Sequence, residues 1–486
     1  MRVCTPKTVH LILAVIIILY SNIFAGWSPP VRISQPGDCW GPQIIASGDT
    51  LHVVYENTGE RYDKISYVRS TDGGQSWSTP VRLTERGGAT YFPRIVQNSS
   101  KLMVLWKEVF YTGYDVFNIG YSISFDNGIT WDTAQYIFNP NWQHILYFAA
   151  ANYDSTVVLA ISSQVAYDLI YYSLHSSNFG ASWSVPQEMF ACYQSLDVDC
   201  EASQGLVGLS WDGRFDSSHN IEIYYTGSTN GGANWSDNIA LSDTDGYHSQ
   251  IPAIDIEDSN SVTVCWMDFK YAPQGSATGD IFLRRSHNLG QSWGNINELV
   301  YNHEAFKSDL AVSGDTIDLV WDDETNGTIH ASILYRQSTN GGTSWSEPVR
   351  LDNTDYESRD PAIATCCGKK FVVWGESVYP PDSMGLFFSY WSGGSDMVEN
   401  GHDRTLPDEI AISAYPNPFN SSTTLSISNG RATDIFIYDI TGRQIATLYA
   451  KEGKAVWGAS AYSSGIYFAK ALDKNKSLVI KLIYLK

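Results

Sequence analysis

After its first 25 residues the chain has no long apolar run, and helical periodicity is hard to find in it. The first absence leaves no other segment that could cross a bilayer as a helix, which takes about 20 consecutive apolar residues. Basic charge is also scarce, with 31 Lys and Arg against 52 Asp and Glu and a net charge of −21. The ten histidines are scattered and propose no metal cluster. Of the seven cysteines, Cys366 and Cys367 are adjacent but have no His or further Cys at zinc spacing.

The charge deficit is local. Residues 411–486 hold nine Lys and Arg against four Asp and Glu, a net of +5, and residues 1–25 add +2, which leaves −28 on residues 26–410. So acidic a body repels nucleic acid and anionic membrane surfaces, so neither is an expected partner. No cofactor is expected; the one alternative is calcium, since an acidic surface attracts cations. Residues 1–25 read as a secretory signal: Arg2 and Lys7 precede the apolar stretch Val9 to Tyr20, and Ala25 is a small residue for cleavage. Six cysteines then remain, and in an exported chain Cys192 and Cys200, flanking one short connection, are the disulfide candidate. No membrane span is expected once the signal is removed.

What is abundant is aromatic residues and turns: 16 Trp, 30 Tyr and 39 Gly. An octet recurs six times: "STDGGQSW" (70–77), "SFDNGITW" (124–131), "SSNFGASW" (176–183), "STNGGANW" (228–235), "SHNLGQSW" (286–293) and "STNGGTSW" (338–345). Its closing residues, Trp77, Trp131, Trp183, Trp235, Trp293 and Trp345, are separated by 54, 52, 52, 58 and 52 residues. A period near fifty denotes one repeated supersecondary unit. Each unit reads as four short strands: a first such as "FPRIVQ", an apolar second often closed by an aromatic such as "VTVCW", a third such as "IFLRRS", and a fourth after the octet such as "WSTPVRLT". That is the arithmetic of a propeller blade. In the octet Asp or Asn closes a turn, Gly takes the left-handed conformation and Trp begins the next strand, locking strands three and four.

There are seven first-to-third strand sets but only six octets. "WSPPVRIS" (27–34) is nearly a copy of "WSTPVRLT" and "WSEPVRLD". The opening segment is therefore expected to pair with the last three strands and close a ring, which removes exposed edges. Seven blades is the expected count, with six the alternative.

The octet resembles the Asp-box of the sialidase-like, or BNR-repeat, β-propellers. Asp72 and Asp126 keep the Asp, whereas Asn178, Asn230, Asn288 and Asn340 replace it. The resemblance implies architecture and not a reaction, because the motif is shared among propeller families. After the linker 392–410, residues 411–486 change in composition and read as a small β-sandwich. Tyr415-Pro416-Asn417-Pro418-Phe419-Asn420, Tyr438-Asp439-Ile440-Thr441-Gly442-Arg443, Gly465-Ile466-Tyr467-Phe468 and the basic end at Lys486 resemble the type A C-terminal sorting domain of type IX secretion. That implies the type IX secretion machinery as a partner, outer-membrane crossing, and a released or surface-displayed product. The expected domains are thus a signal (1–25), an all-β propeller (26–391), a linker (392–410) and the sorting sandwich (411–486).

In a propeller the loops between strands two and three, and between units, crowd one mouth of the channel, opposite the octets. Glu56, Glu108, Asp212, Asp268, Asp322 and Glu376 each follow a second strand. Tyr91, Tyr247, His248, His303, Asp309, Tyr356, Arg359 and Asp360 come from unit junctions. Carboxylates with aromatics suit sugar binding, calcium binding or glycoside hydrolysis. The expected ligand is a carbohydrate or glycoprotein. The rival readings are an exo-acting glycosidase of sialidase type, using Arg94, Arg214 and Arg359 on an acidic sugar with Asp212 or Asp360 as acid, and a structural adhesion protein. The sialidase pattern is incomplete here: "FPRIV" has Arg94 and Ile95 without the following Pro.

Overall fold

A computed structural model of the chain describes residues 26–391 and 412–485 apart from short intervals, the longest at 138–143, 325–329 and 428–432. The expected signal (1–25) and linker (392–410) lie outside the described residues. The chain divides into two compact units, Met1–Met397 and Val398–Lys486.

Second strands of the repeat are apolar on both faces because they are covered on both faces. Every residue of Leu206–Gly213 and of Val262–Asp268 is buried. The first unit is all-β, with five four-stranded antiparallel sheets and one seven-stranded sheet. In the first sheet the order along the chain is also the order in space: Cys39–Ser47, Thr50–Asn57, Lys64–Ser70, Val81–Arg82. The seven-stranded sheet arises from one long strand, Asn297–Ser313. Its first residues pair with Gly279–Ser286 and its last with Thr316–Asp323.

The first strands are neighbours in one cyclic order: Cys39–Ser47, Ala89–Asn98, His144–Tyr153, Val198–Ser203, Ser249–Ile256, Asn297–Ser313, Ser358–Cys366, and back to Cys39–Ser47. The seam is made by the opening segment. Val31 pairs with Phe388 and Arg32 with Phe387, and Trp27 bridges Trp391. The Ser28 amide donates to Tyr390 O and the Ile33 amide to Leu386 O, both at 2.8 Å.

The octets are locks, as their residue types require, and they are also joints between sheets. The Ser70 hydroxyl donates to Asp72 at 2.8 Å and accepts the Gly74 amide at 2.8 Å, and Asp72 accepts the Ser76 amide at 2.9 Å. Asn178, Asn230, Asn288 and Asn340 accept the equivalent amide at 2.8–2.9 Å, so the amide oxygen does the carboxylate's work. The Trp reaches across to the preceding sheet: Trp131 packs edge-on to Tyr67 at 4.9 Å, Trp293 to Tyr225 at 5.1 Å and Trp77 to Phe388 at 5.0 Å. A Cβ on Gly128 would lie 1.8 Å from the Tyr67 hydroxyl, so glycine is required there for space as well as for its φ of +78°.

Cys192 and Cys200 are both buried free thiols, which corrects the expected disulfide. Cys192 ends an outer strand opposite Leu169, whereas Cys200 sits in the first strand of the next sheet opposite Leu209. Cys265 is core, and Cys366 and Cys367 occupy a hairpin turn in which Cys367 has a φ of +57°.

The second unit contains a three-stranded sheet and a four-stranded sheet, the latter in the order Gln444–Ala450, Thr433–Asp439, Gly465–Asp473, Lys476–Tyr484. Phe419, Leu425, Ile437, Trp457 and Leu482 form its core.

Candidate functional site

Four first strands carry Gly-Pro, Phe-Pro, Ile-Pro or Asp-Pro. Each dipeptide sits at a register shift near the strand's start. The residue before proline is left-handed in all four: Gly41 (φ +52°), Phe92 (+55°), Ile251 (+55°) and Asp360 (+54°). These bulges turn backbone amides toward the preceding sheet, where a carboxylate from a second strand accepts them. Glu56 accepts from Phe92 at 2.6 Å. Asp212 accepts from Leu196 and Asp197 at 2.6 and 2.9 Å and from Ile251 at 3.1 Å. Asp322 accepts from Lys307 at 2.8 Å and Asp360 at 3.3 Å. Each of these two aspartates thus clamps the bulge of its own sheet to that of the next.

The other second-strand acids point the opposite way, because successive side chains on a strand alternate faces. Glu108, Asp268 and Glu376 accept the indole N–H of Trp106, Trp266 and Trp374, each two residues earlier, at 3.1, 3.1 and 2.9 Å. The expected ring of six acids at the mouth is therefore corrected to two sets with different partners. The indole-bound set is buried in the protein interior.

At the bulge end the first strands enclose a cavity of about 470 Å³. Phe92, Tyr147 and Phe306 supply its aromatic faces, and Arg94 and Lys307 its cations. Glu56, Asp197, Asp199, Asp309 and Asp360 supply its carboxyls. Lys307 lies 3.3 Å from Asp360, which holds its ammonium above the usual lysine range. Burial pushes Glu56 and Asp309 up to about 7 and raises Asp197 and Asp199. Deeper in the channel a second space of about 320 Å³ includes Arg94, Asp199, Glu201, Asp255 and Asp309. Burial raises Glu201 there to about 8. Among the described residues no group of three His, Cys, Asp or Glu is placed to hold a metal ion.

Of the sequence-derived candidates, Glu56, Arg94, Asp309 and Asp360 line the cavity. The three arginines do not converge on it. Arg359 is engaged by Glu357 and Glu324, both at 2.5 Å. Arg214 donates to Gln194 at 2.7 Å and lies over Tyr193. Asp212 is fully enclosed and its oxygens are taken by backbone amides, which removes it as a proton donor to a ligand. His248 accepts the Ile221 amide at 2.9 Å, and Tyr91 lies near Lys107. Tyr247 and Tyr356 are exposed, and the His303 side chain lies outside the described residues. Sequence reasoning missed Lys307, Asp197 and Asp199; aligning the first strands on their bulges would have placed them beside Asp360 and Arg94.

In the second unit, the hairpin Thr433–Ala450 is pinned by Asp439, which accepts the Arg443 amide and side chain, both at 3.1 Å. Phe419 packs edge-on to Trp457 and tilted against Tyr484. Residues 416–418, 441–442 and 486 of the quoted motifs lie outside the described residues. Residues 413–485 match the secretion system C-terminal sorting domain. The sorting domain indicates export across the outer membrane, to the cell surface or the medium. No helix among the described residues is long and apolar enough to cross a membrane.

Among solved structures the chain is similar to a PL25 polysaccharide lyase, an ulvan lyase bound to -[GlcA(1-4)Rha3S]-, at 12% identity over 74% of this chain and 94% of that one, with a TM-score of 0.52. It is similar to the polysaccharide lyase Uly1 at 9% identity over 74% and 90%, with a TM-score of 0.51. A sialidase of Trypanosoma rangeli in complex with sialic acid is matched at 9% identity over 93% and 86%, with a TM-score of 0.45. At these identities the likeness concerns the fold alone, a β-propeller-like all-β fold. No curated protein matches.

Proposed function

We propose that the protein is an exported seven-bladed propeller whose channel mouth binds carbohydrate. The blade count rests on reading the long strand Asn297–Ser313 as two strands of adjacent blades, and the cyclic neighbour order supports it. The propeller spans 26–391, between a signal at 1–25 and a linker at 392–410, with the sorting sandwich at 411–486.

The observation that carries the binding reading is the cavity of about 470 Å³, with three aromatic faces among convergent polar groups. Its carboxyls outnumber Arg94 and Lys307, and Lys307 is already paired with Asp360. That balance favours the hydroxyls of an uncharged sugar over the carboxylate of an acidic one. The test is calorimetric titration of the full chain with neutral oligosaccharides (cello-, xylo- and arabino-) and with sialyllactose. Neutral ligands bind, and Lys307→Met and Arg94→Met each weaken binding about tenfold. Glu376→Gln, at a carboxylate bound to the Trp374 indole and outside the cavity lining, leaves binding unchanged. Preference for sialyllactose, or indifference to both cavity variants, refutes the reading.

A hydrolytic role is the second reading. It is favoured by Glu56, a cavity carboxyl raised to about 7, which is protonated often enough at neutral pH to act as an acid. Release of reducing ends from a bound oligosaccharide, lost in Glu56→Gln, is its signature.

A further inference from the structure

Seven aromatic side chains are exposed among the described residues of the first unit, and six of them stand at one end of the ring. Trp40, Tyr193, Phe215, Tyr247, Tyr271 and Tyr356 are between 37% and 51% exposed. All six lie at starts of first strands, in loops between second and third strands, or in junctions between sheets. That is the end on which the cavity opens. Only Phe125, within an octet, stands at the other end. The exposed aliphatic side chains Ile129 and Val185 lie within or just after octets, so the bias belongs to aromatic rings and not to apolar surface in general.

Four of the six come from the third, fourth and fifth sheets and the junctions between them. Three of them are held by neighbouring side chains and remain between 43% and 51% exposed. Tyr193 lies under Arg214 at 5.3 Å. Phe215 meets Trp211 and Tyr224 edge-on at 5.8 and 5.3 Å. Tyr271 rests on Phe282 at 6.4 Å and beneath Lys270 at 5.8 Å. Backed rings are held in place before a ligand arrives, which lowers the ordering cost of binding. Beside Phe215 a cleft of about 420 Å³ runs between Tyr224 and the segment Thr244 to Gly246. Asp216, His219 and Glu222 stand in it as polar groups. Asp212, three residues before Phe215 in the chain, clamps the Leu196–Asp197 and Ile251 backbones that line the cavity.

We infer that the ligand is a polymeric glycan, lying from the channel cavity outward across the fourth and fifth sheets, with Phe215 and Tyr271 as platforms for its successive rings. The inference rests on the carbohydrate reading and deepens it from a terminal sugar to an extended chain. Separate aromatic faces among Arg214, Asp216, His219 and Lys270 suit sugar rings, whose faces are apolar and whose edges are hydroxylated. A protein-docking surface would present a contiguous apolar core.

The experiment compares cello-, xylo- and arabino-oligosaccharides of two and six units on the full chain. The wild type is expected to bind the six-unit form of its preferred series at least tenfold more tightly than the two-unit form. Phe215→Ala combined with Tyr271→Ala is expected to bring that ratio to about two and leave two-unit affinity unchanged. Lys307→Met weakens both lengths alike. Both aromatics are exposed, and an unchanged circular dichroism spectrum and melting temperature verify that the double variant is folded. If two units bind but six bind no better, or if the double variant keeps the wild-type ratio, the inference is overturned while the carbohydrate reading stands. If no oligosaccharide of either length binds the wild type, both fall together.

Discussion

Alanine at Gly128 should damage the ring far more than alanine at another left-handed glycine. Gly128 has a φ of +78°, and a Cβ there would lie 1.8 Å from the Tyr67 hydroxyl and 2.6 Å from its ring carbon. Tyr67 cannot simply withdraw. It is buried, bonded to His52 Nδ1 at 2.7 Å and packed edge-on to Trp131. The left-handed backbone costs about 1–2 kcal/mol for a residue with a Cβ. Displacing a packed ring costs a further ~1–3 kcal/mol, and leaving the buried hydroxyl and imidazole unpaired about as much again. The expected loss is about 5 kcal/mol. Gly205 provides the control: its φ is +90° and nothing lies within 4 Å of its Cβ position, so Gly205→Ala should lose only the backbone component. Guanidinium unfolding of the full chain, followed by tryptophan fluorescence, compares the two directly. Equal losses in the two variants would refute the idea that the octet glycine is a joint between sheets as well as a turn. Tyr67→Ala should partly relieve Gly128→Ala, giving a double variant that loses less than the two single losses combined.

Two further predictions follow from buried charge. Burial raises Asp255 to about 6, Asp309 to about 7 and Glu201 to about 8. Between the unfolded value near 4 and these folded values the native chain binds more protons than the unfolded chain. Each group's contribution is therefore complete below about pH 4, falls by about 1.4 kcal/mol per pH unit as pH rises toward its folded value, and is lost above it. Thermal melts should show lower stability at pH 8.5 than at pH 5.5, with a smaller drop in Glu201→Gln; a stability that climbs over that interval contradicts the assignment. Lys370 forms a buried ion pair with Asp318 at 2.8 Å, between two adjacent sheets. Lys370→Met should cost about 3 kcal/mol by leaving the buried carboxylate without a cation, although Tyr335 and Gln337 still donate to it, and adding Asp318→Leu should restore part of the loss; a double variant as unstable as the single one rules out that explanation.

The architecture was legible in the chain because it is written many times. Six octets fix the turn and the period, and "WSPPVRIS" repeats the fourth-strand phrase where no third strand precedes it. The site was much less legible, for a reason of parity. Glu56, Asp212 and Asp322 occupy the position one residue after the aromatic that closes the second strand. Glu108, Asp268 and Glu376 occupy the position two after it. On a strand that single step decides between a neighbouring bulge and an indole in the core. Counting acids near strand ends merges the two sets, whereas counting from the tryptophan separates them. Lys307 escaped notice because its strand lacks the proline that marks the bulge in "FPRI", "IPAI" and "DPAI". The arginines misled for a different reason: Arg359 and Arg214 have acid or amide partners of their own, which no spacing in the sequence reveals.

The pairing of Val31 with Phe388 makes this fold circular in space while the chain that builds it is linear. A circle has no privileged starting point. The first strands neighbour one another in a cycle, and among the described sheets of the first unit only the last takes its four strands from both ends of that unit. Cutting the backbone in any mouth loop would leave each fragment gripping the other at two places, so a nicked molecule would hold together. A permuted chain that moved the seam to another sheet would meet the same contacts in a new order.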